Sequence, residues 1–134
     1  MVLVVPEDLL EAASGARENA YAPFSGFKVG AALRTASGLI ITGANVENTS
    51  YGLSRCAEQS AVTAMVSEGD RSFCEIVICT EADPPVTPCG ACRQILLEFS
   101  PEADLYTVGL SGAVRHYRVC DLLPDAFALD RHQG

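Results

Sequence analysis

Two cysteine-containing segments constrain the fold of this chain more than any other feature of its sequence. Cys56-Ala57-Glu58 opens an apolar run that lasts to Glu68, and Pro88-Cys89-Gly90-Ala91-Cys92 opens a second one that ends near Phe99. We place a helix N-terminus at each segment, where the helix dipole and the free backbone N–H groups stabilise a thiolate. A fold that brings these two helix starts together collects three thiols at one point.

The hydrophobic pattern predicts an α/β domain with a mixed sheet, in two or three layers. Strand, helix, strand, helix, strand in sequence also indicates parallel crossovers. The predicted elements are a helix over 6–20, strands over 29–33 and 39–43 around a turn at 36–38, a helix over 56–68 capped by Ser54 and stopped by Gly69, a strand over 74–80, a helix over 89–99, strands over 105–110 and 113–119, and a short helix or turn over 121–127.

Composition narrows the class of protein. The 134 residues suit a single domain over 1–134, and 49% hydrophobic residues provide enough apolar surface for one core. A net charge of −8 disfavours a polynucleotide partner, because it would repel a phosphate backbone, but it leaves a small uncharged nucleoside open as substrate. Residues 1–5 are apolar without a basic flank or cleavage site, which favours a cytoplasmic protein without a membrane span.

The cysteine spacing indicates a zinc site. Cys89 and Cys92 are three residues apart, so their sulfurs converge on one helical turn, and Cys56 completes a three-sulfur face. Three ligands leave a fourth position open, where a bound water has its pKa lowered to about 7 and becomes a nucleophile. Glu58 is the nearby base, although ideal helical geometry places positions two apart on different faces.

The cysteines also allow other interpretations. A Cys-x-x-Cys pair alone also suits a redox dithiol or a structural zinc knuckle. A structural site would need a fourth ligand, and neither His116 nor His132 lies in a segment that resembles one. The remaining cysteines lie in apolar contexts and are interpreted as buried thiols without a role; they are Cys74, Cys79 and Cys120.

Four motifs together resemble the cytidine deaminase family. They are Tyr21-Ala22-Pro23-Phe24-Ser25-Gly26-Phe27-Lys28-Val29-Gly30-Ala31-Ala32, Asn45-Val46-Glu47-Asn48-Thr49-Ser50-Tyr51-Gly52, Cys56-Ala57-Glu58 and Pro88-Cys89-Gly90-Ala91-Cys92-Arg93-Gln94. A Cys-x-Glu followed by Pro-Cys-x-x-Cys is the zinc deaminase pattern, in which a glutamate that is not a ligand acts as acid and base. The resemblance implies a three-layer α-β-α deaminase fold with about five strands.

The resemblance also implies a role for each matching residue. Cys56, Cys89 and Cys92 would bind Zn²⁺, and Glu58 would move protons during hydrolytic deamination of cytidine and deoxycytidine in pyrimidine salvage. Substrate contacts would come from Phe24 beside the base, Asn45 and Glu47 at the ribose, and Ala57, with Tyr51 and Phe127 reaching a neighbouring subunit of a homotetramer. Phe27 is interpreted as a core or loop-packing aromatic residue. No organic cofactor is expected.

One position departs from the family pattern. Many members with three cysteine ligands have arginine directly after the catalytic glutamate, and this chain has Gln59. Three thiolates on Zn²⁺ carry a formal charge of minus one, which a nearby cation would offset. We expect Arg93, or hydrogen bonds from Gln59 and backbone N–H groups, to substitute in part.

Four rival functions stay open at this point. Deamination of a cytosine-bearing antibiotic such as blasticidin S shares the cysteine motifs, but the complete 45–52 run favours an ordinary nucleoside. A polynucleotide-editing deaminase would need a basic channel and stacking platforms, whereas this chain is acidic and has no tryptophan. The others are a zinc-stabilised binding module, which Glu58 disfavours, and a thioredoxin-like redox protein.

Overall fold

The computed structural model describes residues 4–131, so Met1 to Leu3 and His132 to Gly134 lie outside the described residues. Within the described range the order of helices and strands is the predicted one. The helices are α1 (Glu7–Glu18), α2 (Ala57–Ser67) and α3 (Gly90–Phe99), and 3-10 turns occupy Tyr51–Leu53 and Val119–Leu122. The strands are β1 (Gly30–Thr35), β2 (Ile40–Ala44), β3 (Phe73–Cys79), β4 (Asp104–Val108) and β5 (Val114–Arg118).

The strands form one mixed sheet in the order β2-β1-β3-β4-β5. Strand β1 is antiparallel to both β2 and β3, β3 is parallel to β4, and β4 is antiparallel to β5. The predicted parallel crossover is therefore present in β3-α3-β4, which connects two neighbouring strands. Helix α2 connects β2 and β3, which run in the same direction on either side of β1. Because β2 and β3 point the same way, α2 and α3 both begin at the same edge of the sheet.

Side chains alternate between two apolar cores on opposite faces of the sheet. In β1, Ala31 and Leu33 face α2 and α3, whereas Ala32 faces α1. In β3, Ile76 belongs to the first core and Val77 to the second. This period of two, with helices on both faces, is the three-layer α-β-α arrangement that the resemblance implied.

Two glycines allow the helices to lie directly on the sheet. A Cβ at Gly43 would stand 2.4 Å from the backbone nitrogen of Ala61 in α2, and one at Gly30 would stand 2.0 Å from the carbonyl oxygen of Ala13 in α1. No real Cβ approaches backbone atoms so closely, so a side chain at either position would push a helix away. Gly43 in particular sets the depth of α2, the helix that Cys56 and Glu58 begin.

The structure corrects two local predictions. Ser54 does not cap α2: its hydroxyl accepts a hydrogen bond from the Asn48 N–H, and Cys56 is the N-cap residue. Cys74, the second residue of β3, is exposed and not buried, whereas Cys79 is buried and Cys120 is half-buried. None of the helices over residues 4–131 has the length and apolar character to cross a membrane.

Candidate active site

The three predicted zinc ligands meet where α2 and α3 begin. Cys56 is the N-cap residue of α2 and Cys89 that of α3, while Cys92 lies in the first turn of α3. The Sγ atom of Cys89 lies 3.9 Å from that of Cys56 and 3.4 Å from that of Cys92, and all three sulfurs lie within 4.8 Å of one another. The sheet topology therefore assembles the three-sulfur face that the sequence predicts.

The spacing of these sulfurs fits a zinc ion. In a tetrahedral site with Zn–S bonds of about 2.3 Å, neighbouring sulfurs stand about 3.8 Å apart. The observed separations of 3.4 and 3.9 Å bracket that value. Three protein ligands would leave a fourth position to a ligand from outside the protein, and Cys56 and Cys89 form part of a cavity wall.

The environment of the thiols favours a thiolate. Hydrogen bonding with Cys92 lowers the pKa of Cys56 to about 6, and the positive charge of Arg55 contributes in the same direction. Sharing that proton with Cys56 raises the pKa of Cys92, which is fully buried. These contacts favour the thiolate form of Cys56, and a divalent metal requires its thiol ligands in that form.

Glu58 is a buried carboxyl group beside the thiols. Its residue is only 5% exposed, and burial raises its pKa to about 7, with the charge at Cys56 adding to the effect. Residues two apart face different sides only when both are inside a helix. Cys56 lies outside α2, because its backbone is extended, with φ −74° and ψ 159°. Cys56 and Glu58 consequently line the same cavity.

A cavity of about 330 Å³ opens in front of these groups. It has the size of a small-molecule site, and its walls are apolar with a few converging polar side chains. Its lining residues are Ser25, Phe27, Val29, Asn45, Glu47, Ser54, Arg55, Cys56, Ala57, Glu58, Ile78, Thr80, Val86, Thr87, Pro88 and Cys89. Of the substrate contacts that the sequence predicts, Asn45, Glu47 and Ala57 are in this set.

Asn45 connects the cavity wall to the loop before β1. It follows directly after β2, and its side-chain Oδ1 accepts from the Val29 N–H at 2.8 Å while its Nδ2 donates to the Phe27 carbonyl at 2.9 Å. An amide side chain has two lone pairs and two N–H groups, so one of each stays available to a ligand. Asn45 is thus both a part of the wall and a polar group facing the cavity.

The structure places Phe27, not Phe24, in the cavity wall. Phe24 is 57% exposed and borders an adjoining groove that includes Tyr51. This groove shares Ser25, Glu47 and Ser54 with the cavity. The reason is the turn at Gly26, which has φ +71° and reverses the loop between the two phenylalanines. Phe27 is therefore the aromatic residue that the sequence interpretation missed, and its place inside the Pro-Phe-Ser-Gly-Phe motif was the signal available.

Tyr51 and Phe127 lie outside the cavity of their own chain. Tyr51 is 84% exposed and Phe127 is 72% exposed. The backbone carbonyl of Phe127 accepts a hydrogen bond from Gln94 Nε2 at 3.2 Å, which fastens the C-terminal segment to α3. Neither ring therefore contributes to the site within one chain.

The sequence predicts that Arg93 offsets the negative charge of the thiols, but its guanidinium binds the loop before α3. Its guanidinium donates to the Pro88 and Leu122 carbonyls and to the Thr87 hydroxyl, so its donors hold the loop before α3 against the C-terminal segment. Gln59 does reach the cluster, with Nε2 donating to Cys92 Sγ at 3.6 Å. Arg55, which the sequence interpretation overlooked, is the cation in the cavity wall.

The chain matches one protein family over most of its length. Residues 5–107 match the family described as "Cytidine and deoxycytidylate deaminase zinc-binding region". The chain is 45% identical over 123 residues to a cytidine deaminase of Halalkalibacterium halodurans, covering 91% of this chain and 93% of that protein. It is 43% identical over 118 residues to a cytidine deaminase of Mycobacterium tuberculosis, covering 88% and 86%.

Solved crystal structures of cytidine deaminases also resemble this chain. The crystal structure of a cytidine deaminase from Burkholderia pseudomallei aligns with a TM-score of 0.89 at 46% identity, over 92% of this chain and 100% of that one. That of a cytidine deaminase from Mycobacterium tuberculosis aligns with a TM-score of 0.79 at 41% identity, over 92% and 97%. The fold is therefore shared with solved cytidine deaminases.

Proposed function

This chain belongs to the cytidine and deoxycytidylate deaminase family, and from that premise we propose that it deaminates cytidine and deoxycytidine hydrolytically to uridine and deoxyuridine. One observation carries the proposal: a buried carboxyl group, Glu58, lies beside three convergent thiols at a cavity that also contains Asn45 and Glu47. The reaction consumes water, releases ammonia and converts one pyrimidine nucleoside into another, as a role in pyrimidine salvage requires.

Zinc is the cofactor of this family region, and the residues here fit it. Cys56, Cys89 and Cys92 would hold the ion, because their sulfurs all lie within 4.8 Å of one another, with two separations of 3.4 and 3.9 Å. When bound, the ion supplies a Lewis acid that makes water nucleophilic at neutral pH. Thiols at helix N-termini suit this task, since the helix dipoles stabilise their ionised form.

Glu58 moves the protons. Burial raises the pKa of its carboxyl group above the ordinary value, towards the neutral range that suits general acid–base catalysis. Hydrolysis needs two transfers from the attacking water, one to ring nitrogen N3 of cytosine and one to the departing amino group. Because Glu58 is buried in the cavity wall, a single carboxyl group serves both transfers without exchange with bulk solvent.

Four residues select the substrate. Phe27 offers an aromatic wall to the pyrimidine, in the place for which the sequence suggested Phe24. Ala57 is the first residue of α2, so its backbone N–H has no intrahelical partner and suits a carbonyl of the base. Asn45 and Glu47 offer free acceptors and a donor to the sugar hydroxyls, and a base without its sugar would leave them unmatched.

Arg55 and Gln59 temper the negative charge of a zinc trithiolate. Gln59 donates a hydrogen bond to Cys92 Sγ, and Arg55 brings a positive charge next to Cys56. Together they take the place of the arginine that many family members have at position 59. Arg93 acts indirectly, because its bond to the Pro88 carbonyl at 2.9 Å holds the residue that precedes Cys89.

The assembly is a homotetramer with sites shared between subunits. Tyr51 and Phe127 support this proposal, since two large side chains at 84% and 72% exposure are unfavourable in water and available to a neighbouring copy. Sedimentation at several protein concentrations tests it. A species of four chains supports it, whereas an active monomer contradicts it.

Turnover by zinc-loaded protein tests the function. Conversion of cytidine to uridine and release of ammonia are measured for the unaltered chain and for Glu58→Ala, with bound zinc determined for both. We expect turnover only by the unaltered chain, at equal zinc content. If a fully zinc-loaded chain turns over neither cytidine nor deoxycytidine, the nucleoside proposal is wrong and cytosine-bearing antibiotics become the next substrates to assay.

A further inference from the structure

The loop that carries Phe27 is attached to the segment that carries Glu47. The Tyr21 N–H donates to the Asn45 carbonyl at 3.0 Å, and the Glu47 N–H donates to the Tyr21 carbonyl at 2.9 Å. Beyond these two bonds the loop turns at Gly26 and re-enters β1. The Glu47 side chain therefore lies inside the bend of this loop, and the loop restricts its orientation.

The Glu47 carboxylate already accepts three hydrogen bonds from the loop. Oε1 accepts from the backbone N–H groups of Phe24 at 2.9 Å and Ser25 at 3.1 Å, and Oε2 accepts from the Ser25 hydroxyl. A carboxylate offers about four acceptor sites, two on each oxygen. One site is left, and it is on Oε2, the oxygen that the Ser25 hydroxyl holds.

We propose that Ser25 is a positioning residue, which orients the Glu47 carboxylate so that its one remaining acceptor site meets a secondary hydroxyl of the substrate's sugar. The inference rests on the proposed function and adds to it a residue that needs to touch no substrate atom itself. The electrostatics agree, because the bond from the Ser25 hydroxyl is the main cause that lowers the pKa of Glu47. An ionised acceptor forms the stronger bond to a hydroxyl.

Ser25 also has a second bond, which offers a competing explanation for any effect of its removal. Its Oγ accepts from the Phe27 N–H at 3.0 Å, so the hydroxyl also supports the loop under the aromatic wall. A role through Phe27 would alter the contact with the base and affect every cytosine nucleoside equally. A role through Glu47 affects only substrates whose sugar has a hydroxyl for Glu47 to bind.

The experiment compares two substrates in four proteins. Steady-state kcat and KM are measured with cytidine and with 2′,3′-dideoxycytidine, which lacks both secondary hydroxyls. The proteins are the unaltered chain, Ser25→Ala, Ser25→Thr and Ser37→Ala, each with its melting temperature and zinc content. Ser37 is a matched control, because its hydroxyl is hydrogen-bonded in an exposed turn to Asp70 at 3.1 Å and to Thr35 at 3.0 Å.

For cytidine we expect Ser25→Ala to raise KM about tenfold with little change in kcat, the loss expected for one poorly oriented bond to a charged group. Ser25→Thr keeps the hydroxyl and restores KM to within about twofold, and Ser37→Ala changes nothing. For dideoxycytidine, Ser25→Ala leaves KM within about twofold of the unaltered chain.

Three results would overturn the inference: an unchanged KM for cytidine in Ser25→Ala, an equal rise for both substrates, or no recovery in Ser25→Thr. An equal rise would assign Ser25 to the Phe27 loop. Failure of the proposed function is distinguishable, because then the unaltered, zinc-loaded chain turns over neither substrate, and both proposals are removed.

Discussion

Replacing Glu58 by glutamine should stabilise the metal-free protein at alkaline pH, although the same change abolishes proton transfer. Burial raises the pKa of Glu58 from 4.5 to about 7, so above that range the folded protein holds an unfavourable buried charge that the unfolded chain carries in water. An acid whose pKa is raised in the folded state binds more protons there than in the unfolded state. The free energy of unfolding therefore falls as the pH rises from about 4.5 to 7. Each pKa unit corresponds to about 1.4 kcal/mol.

The expected penalty is about 1 kcal/mol near pH 5 and about 3 kcal/mol near pH 8, and Glu58→Gln removes it. Urea unfolding with chelator and reductant present measures the free energy of unfolding of both proteins at both pH values. Cys56 titrates in the opposite sense, since its pKa is lowered to about 6. Because its charge also raises the pKa of Glu58, the difference between the two proteins includes that interaction. The reasoning is refuted if the difference between the two proteins is the same at the two pH values or favours the unaltered chain near pH 8.

Three further predictions concern the surroundings of Glu58. Gln59→Leu removes the donor to a ligand thiol and should weaken zinc binding about 10- to 100-fold in chelator competition, whereas Gln94→Leu on α3 should not. Arg55→Gln should raise the pKa of Cys56 in the metal-free protein, measured as thiolate ultraviolet absorbance against pH, and an unchanged pKa would contradict the electrostatic role of Arg55. Gly43→Ala should lower the free energy of unfolding by about 1–3 kcal/mol or more, because its Cβ has no space below α2; a neutral effect by urea unfolding would show that α2 shifts freely.

The helices, strands and ligand cysteines could be predicted because each has a local cause. Alternation in β1 and the acidic first turn of α1 depend on neighbouring residues only. The meeting of Cys56 with Cys89 follows from one further step, that helices after codirectional strands begin at the same sheet edge. Sheet order itself was not predicted, since placing β1 between β2 and β3 depends on packing across the whole sheet.

Loop geometry limited what could be predicted about the site. Phe24 and Phe27 have similar chemistry and lie in the same motif, and only the reversal at Gly26 decides which ring faces the cavity. The position of Arg55 could not be predicted either, because nothing in the sequence distinguishes an arginine beside a metal ligand from a surface cation. Its position depends on the paired hydrogen bonds between the Val46 and Arg55 backbones, both 2.9 Å, which a linear pattern does not reveal.

The polar groups that would bind the sugar are ordered before any ligand arrives. Asn45 is held by two bonds to the backbone at Phe27 and Val29, and Glu47 by three bonds to the loop at Phe24 and Ser25. A substrate therefore need not immobilise these side chains on binding, which reduces the entropic cost of recognition. The same bonds connect sugar recognition to the aromatic wall, because one loop carries both. Substitutions in residues 24–29 should consequently change discrimination among nucleosides more than they change the chemistry at Glu58, which α2 positions independently of that loop.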